Sequence, residues 1–225
     1  MAGAHPTKTS LKVVPLSRET LQDRVYRRVC DLILDGEIAP GQLVTIQSLA
    51  DAFEVSHMPV REALKRLTAA NALTVVSGRS IGIPRLNRAS LSDLRNVRVE
   101  VEALASIWAT RNITDGELGD IEELYGKLGL AIATGDVRSF LRANHALHFA
   151  IYRAARSETL LTIIENLWLQ ISPYFNLLRG SGNYEVSNNH HQVMVDGLKA
   201  RNEKQVSDAV RADIDAAYEV LLELV

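Results

Sequence analysis

Four polar side chains fall where helical sequence otherwise keeps apolar ones. In "SFLRANHALHFAIY" (residues 139–152), Leu141, Asn144, His148 and Ile151 recur at spacings of three and four, so a polar pair one turn apart lies inside an apolar stripe. In "HHQVMVDGL" (190–198), His191 shares a face with Met194, Val195 and Leu198, whereas His190 falls with Gly197 and Arg201. Asp213 stands among Ala209, Val210 and Ala217. The turn between the last two helical stretches centres near Asn202, eleven residues after His191 and eleven before Asp213. In an antiparallel hairpin such positions lie level, so the spacing predicts that His191 and Asp213 meet in the core. With Asn144 and His148 they make two imidazoles, one carboxylate and one amide. That donor set suits a divalent Zn, Ni, Mn or Fe ion with positions left open for a ligand. The competing reading is a polar core network closed by hydrogen bonds or water. His145, at the edge of the stripe, and His5, in the tail, read as structural or solvated.

Arg98 is a fifth candidate. It lies between Leu94 and Val101 on an apolar helical face, where an unpaired cation would be very costly. A bound small carboxylic acid would satisfy it through the planar guanidinium fork, and so would Glu102, one turn on, as a pair at the rim.

A second constellation is "VSHMPVREALKRL" (55–67). Val60, Ala63, Leu64 and Leu67 have helical spacing, yet Pro59 sits where that helix should already be running. Amides of a first turn have no intrahelical acceptor, so proline there costs nothing and marks a helix start, with Ser56 as a capping residue. A short helix over "TIQSLADAFE" precedes it, with Ile46, Leu49, Ala50 and Phe53 inward. "ALTVVSGRSIGIP" follows and reads as a β-hairpin with Arg79 at its tip. Helix, tight turn, helix and hairpin make a winged helix-turn-helix, whose second helix enters the DNA major groove by its N-terminal end. Ser56, His57 and Arg61 then face bases or phosphates, and Lys65 and Arg66 one turn on face phosphates.

These sites need a scaffold of two parts. "SRETLQDRVYRRVCDLILDGEI" forms the first helix, with Leu21, Val25, Val29, Leu32 and Ile33 on one face. From Leu91 onward every stretch is helical, near 90–111, 115–133, 136–155, 157–179, 185–201 and 203–224, and the short breaks imply an antiparallel bundle. The expected fold is mainly α: a tail over 1–17, a winged helix-turn-helix with a small β-hairpin over 18–85, a linker over 86–90, and an all-α bundle over 91–225. The net charge of −2 is unevenly divided, with 11 Lys and Arg against 8 Asp and Glu in residues 1–85 and 14 against 19 in the remainder. A mildly basic front and an acidic back suit different partners. No apolar run is long enough for a bilayer, and the N-terminus lacks the apolar block of a secretion signal. The one cysteine, Cys30, fits a helix core and a reducing cytoplasm. A protein that coats DNA would want a strongly basic chain, and this one is not. A metalloenzyme built on two histidines and a carboxylate is the remaining rival.

"IAPGQLVTIQSLADAFEVSHMPVREALKRLTAANALTVVSGRSIGI" resembles the DNA-binding domain of GntR-family bacterial transcription regulators. "LRNVRVEVEALAS", "NHALHFAIYRAA" and "HHQVMVDGLKARN" resemble the ligand-binding FCD domain of the FadR branch, and the likeness covers about residues 20–220. The resemblance implies a homodimer on a palindromic operator, with DNA affinity set by a small carboxylic acid, commonly through release of a repressor, and often a metal in the bundle. It places the DNA-facing set on Gln47, Ser56, His57, Arg61 and Arg79; Pro59 and Lys65 join them from the helix reading. It also puts Arg98 beside the effector. Two positions depart from the family pattern. His57 stands where arginine is usual, and histidine cannot make the same two-pronged guanine contact. The metal set is usually Asp or Asn followed by three histidines, whereas here the last member is Asp213.

Overall fold

The computed structural model describes residues 20–77 and 80–224. The tail over 1–17 and Arg79 lie outside the described residues. Thr20 caps helix α1 (Leu21–Leu34): its side chain accepts from the Asp23 amide, and the Asp23 carboxylate reaches back to the Thr20 amide. Val25, Val29 and Ile33 are buried as the periodicity predicts. Leu21 is not, at 48% exposure, because the first turn projects beyond the core. The helix also stops four residues before Ile38, where Gly36 turns the chain with φ +69°.

Helices α2 (Ile46–Phe53) and α3 (His57–Ala69) follow. The hairpin is present as β2 (Thr74–Ser77) and β3 (Ser80–Gly82). A further strand, β1 (Leu43–Thr45), pairs with β3 to give an antiparallel sheet in the order β1-β3-β2. Its three residues are too few to show alternation, and its last residue doubles as the α2 cap. Gly82 makes this sheet possible: a Cβ there would stand 2.9 Å from the Gln42 carbonyl oxygen.

The bundle comprises α4 (Arg88–Asn112), α5 (Asp115–Thr134), α6 (Val137–Ala154), α7 (Glu158–Ile171), α8 (Asn183–Lys199) and α9 (Glu203–Leu222). The expected single helix over 157–179 is split. Pro173, which lacks an amide hydrogen, opens a 3-10 segment at Ser172–Leu178. Asn87, Thr114, Asp136, Ser157 and Asn202 cap the helices with side-chain acceptors. Helix α9 packs against both α4 and α8, and α5 packs against α6. Gly197 sets the closest approach of α8 to α9, since a Cβ there would lie 2.7 Å from the Val206 side chain. Among the described residues no helix is long and apolar enough to cross a membrane.

The two parts are joined by more than a linker. Helix α4 starts at Arg88, inside the segment expected to be linker. The residues ahead of it are held by Tyr174, which donates to the Pro84 carbonyl at 2.5 Å and accepts from the Leu86 amide at 2.9 Å. Arg142 on α6 reaches Asp35 at 2.7 Å, and the Asn176 amide donates to the Gly36 carbonyl at 3.1 Å. Tyr174→Phe removes both linker bonds while keeping the ring. It is expected to lower stability by about 1–3 kcal/mol, read as a shift of the urea midpoint.

Candidate functional site

The bundle positions its polar residues by helical spacing alone. Leu141, Asn144, His148 and Ile151 all face inward on α6, and His191, Met194, Val195 and Leu198 do so on α8. On α9 the Asp213 side chain is 12% exposed. His148, His191 and Asp213 converge as the hairpin spacing predicts. His148 Nε2 lies 3.0 Å from His191 Nε2 and 3.3 Å from Asp213 Oδ2, and His191 Nε2 lies 3.8 Å from that oxygen. Ligand atoms of a tetrahedral ion with bonds of about 2.0–2.2 Å stand roughly 3.3–3.6 Å apart, and the three separations bracket that value. Asn144 is buried, and among the described residues its Oδ1 has no hydrogen-bond partner, nor has His191 Nδ1. A buried oxygen left without a partner is expensive unless something fills its place.

Burial drives the His191 imidazole down to about 4, so at neutral pH the ring is uncharged and one of its nitrogens carries a free lone pair. Burial pushes the Asp213 carboxyl up, but His191, His148 and the Ser187 hydroxyl outweigh it and hold the group below the usual carboxylate range. Ser187 donates to Asp213 Oδ1 at 2.5 Å and stands 3.3 Å from His191 Nε2. The result is two imidazole nitrogens and an anionic oxygen aimed at one buried point.

Arg98 is buried, but its partner is internal. Its Nε donates to Glu102 Oε1 at 2.7 Å. The sequence allowed this pair only at the rim, whereas Glu102 is fully buried. Glu102 Oε2 accepts from the Tyr152 hydroxyl at 2.7 Å and from Trp168 Nε1 at 2.9 Å. The space bounded by Leu94, Arg98, Phe175 and Tyr218 is about 10 Å³, room for one water and too small for an organic acid. Four participants escaped the sequence reading: Glu102 as a core acceptor, Tyr152, Trp168 and Ser187. Three of them obey the helical spacing already used, since Glu102 follows Arg98 by four, Tyr152 follows His148 by four and Ser187 precedes His191 by four. Of the other candidates, His145 packs against the rings of Phe149 and Trp168, and burial takes it to about 4. Burial also raises the Cys30 thiol to about 11, which leaves it unreactive.

In the front part, Gln47, Ser56, His57, Arg61 and Lys65 are exposed. Helix α3 begins at His57, so Ser56, His57 and Arg61 surround its N-terminal turns. Ser56 occupies the cap position without making a side-chain cap bond. Pro59 lies in the first turn of α3 and is buried. Lys65 pairs with Glu62 at 2.8 Å and Gln47 with Asp51 at 2.7 Å. Arg66 bonds Asp23 at 3.0 Å and lies 3.8 Å over the Tyr26 ring, which commits it to the fold. Met58, beside His57, is 60% exposed.

Comparison with known proteins agrees with both halves. Residues 21–83 match the family of bacterial regulatory proteins called gntR, and residues 93–216 match the FCD domain. The HTH-type transcriptional regulator McbR of Escherichia coli K12 is 30% identical over 172 residues, spanning 75% of this chain and 78% of that protein. The Nta operon transcriptional regulator of Aminobacter aminovorans is 25% identical over 83% of this chain and 87% of its own. Among solved structures, that of E. coli McbR/YncC superimposes with a TM-score of 0.85 at 24% identity, over 92% of this chain and 99% of the other. A GntR-family transcriptional regulator from Pseudomonas syringae pv. tomato gives 0.53 at 20% identity, over 90% and 85%.

The depressed imidazoles set an acid limit. His145 and His191 each titrate near 4 when folded, against about 6.5 when unfolded. As pH falls below 6.5 the unfolded chain takes up protons that the folded chain refuses, so stability is lost between about 6.5 and 4, by roughly 3 kcal/mol for each group. Urea unfolding of chelator-treated protein at stepped pH checks this. His145→Gln should shallow the slope within that window.

Proposed function

Because the chain belongs to the FCD-domain branch of the gntR family of bacterial regulatory proteins, it is a transcription regulator and not an enzyme, and we propose that a divalent metal in its bundle makes operator affinity responsive to a small organic acid. The observation that carries the reading is the convergence of His148, His191 and Asp213 from three helices at separations that fit one ion. These three would hold Zn, Ni, Mn or Fe, with Asn144 as the candidate fourth donor, one turn before His148. An ion so bound supplies Lewis-acid attraction for a carboxylate at its open positions.

The residues also suggest how an acid would be sensed. Arg98 already has a carboxylate partner and little free space beside it, so the metal is the better first contact, and Arg98 joins only if the bundle opens. Helix α6 then links sensing to DNA binding. It carries Asn144 and His148 toward the core and, two residues before Asn144, Arg142 toward Asp35 at the end of α1. A shift of α6 would thus move the DNA-binding head. In a homodimer on a palindromic operator the two heads must match half-sites a fixed distance apart, so a small shift lowers affinity and releases a repressor. The winged part at residues 18–85 would read DNA with Gln47, Ser56, His57, Arg61, Lys65 and Arg79, and Met58 would add an apolar contact.

Arg61 has no partner among the described residues and lies on an exposed first turn. Arg61→Ala is expected to weaken specific DNA binding by about 1–3 kcal/mol while fold is kept. Fluorescence anisotropy with the operator, read beside circular dichroism, checks it, and unchanged affinity removes Arg61 from the readout.

Asp213→Asn removes the one anionic donor, and His191→Ala removes one imidazole. Each should lower bound metal and blunt acid-dependent release from DNA, with acid-free DNA binding retained. Metal analysis of purified protein and a gel shift with and without a panel of organic acids read both effects. A metal-free wild type with full acid response would sink the metal reading.

A further inference from the structure

Tyr152 lies between the histidines and the buried Arg98–Glu102 pair, and its single proton has a fixed destination. The Tyr152 hydroxyl is 2.7 Å from Glu102 Oε2 and 2.9 Å from His148 Nδ1. Glu102 also takes Nε–H from Arg98 on one oxygen and Nε1–H from Trp168 on the other. Arg98 and Trp168 are donors only, so the Glu102 oxygens are used as acceptors throughout. A phenol has one proton to donate, and the carboxylate oxygen it faces at 2.7 Å can only accept. Tyr152 gives that proton to Glu102. Toward His148 the phenol oxygen can then only accept, and the proton between them belongs to His148 Nδ1. The imidazole is left with a bare Nε2, the atom that lies 3.0 Å from His191 Nε2 and 3.3 Å from Asp213 Oδ2.

We propose that Tyr152, held by Glu102, is the positioning residue that makes His148 a metal ligand: it fixes the Nδ1–H tautomer and turns the Nε2 lone pair into the His191–Asp213 site. The inference rests on the metal reading above and deepens it. The opposite tautomer would require Tyr152 to turn its proton toward His148 and leave Glu102 without one of its three donors. Trp168 braces the arrangement twice, by its hydrogen bond to Glu102 and by its ring, 5.1 Å from that of His148. Arg98 thereby acquires a role that needs no effector, since it anchors the far oxygen of the carboxylate that orients the tyrosine. Partners of this kind, one bond removed from a metal, typically change affinity by roughly 10–100-fold when lost.

The test uses the full-length chain and zinc alone as the probe. Tyr152→Phe keeps ring and volume and removes only the oxygen. Zinc affinity, measured by competition with a chromogenic chelator, is expected to fall by roughly 10–100-fold. Tyr184→Phe, which removes a phenol bonded to the Phe175 carbonyl instead, should leave it unchanged. Nitrogen-15 spectra of the metal-free protein read the tautomer directly, with His148 expected as Nδ1–H in the wild type and that preference lost in Tyr152→Phe. A wild type that binds zinc while His148 carries its proton on Nε2, or a Tyr152→Phe variant with wild-type zinc affinity, overturns the relay alone. A wild type that binds no zinc, nickel, manganese or iron overturns the metal reading beneath it.

Discussion

The bundle is arranged around three lone-pair donors held 3.0, 3.3 and 3.8 Å apart in the core. Two imidazole nitrogens and a carboxylate oxygen cannot be packed together in a protein interior unless a proton or a cation lies among them. The surroundings are built for that burden. Gly197 lets α8 and α9 approach until His191 and Asp213 stand level. Ser187 occupies the outer oxygen of Asp213, and Tyr152 occupies the outer nitrogen of His148. Each of these contacts leaves the inward-facing atom free. A hydrophobic core of the same volume would be simpler and more stable, so the cost of this polar centre argues for a role other than folding.

The same centre is wired outward. From His148 the hydrogen bonds run through Tyr152 to Glu102 and end on Arg98 and Trp168, spanning α6, α4 and α7. Along α6 the chain continues from His148 back to Arg142 and across to Asp35, the C-cap of α1. Tyr174 and Asn176, on the 3-10 segment after α7, grip the linker and Gly36. In the response proposed above, a small ligand biases the placing of the DNA-binding part. Direct polar contacts between the two parts give that bias a path which a flexible linker would not.

Much of this was legible in the sequence, and the reasons differ by element. Periodicity of 3.6 put Asn144, His148, His191 and Arg98 inward, because an apolar stripe tolerates polar members only where they have partners. Equal distance from the Asn202 turn put His191 opposite Asp213, because hairpin geometry is nearly independent of the residues between. Strand β1 stayed hidden because its three residues show no alternation and its pairing with β3 is non-local. The break at Ser172 was visible as Pro173 but was read through, since the apolar pattern continues across it. Arg98 was placed correctly and partnered incompletely. The sequence shows Glu102 one turn away, but only the packing of α4 against α6 and α7 shows that the pair is sealed in the core, where Tyr152 and Trp168 complete it. Pro59 marked the start of α3 because proline is tolerated only where an amide has no intrahelical acceptor, and the helix does begin two residues before it.

The most direct measurement is anomalous diffraction from crystals of the zinc-loaded protein, collected on both sides of the zinc absorption edge. The account predicts one strong peak per chain within about 2.0–2.2 Å of His148 Nε2, His191 Nε2 and an Asp213 oxygen, with His148 Nδ1 still on the Tyr152 hydroxyl. A structure with no peak there, and with the two Nε2 atoms bonded directly to each other as in an ordinary hydrogen-bonded core, would contradict it.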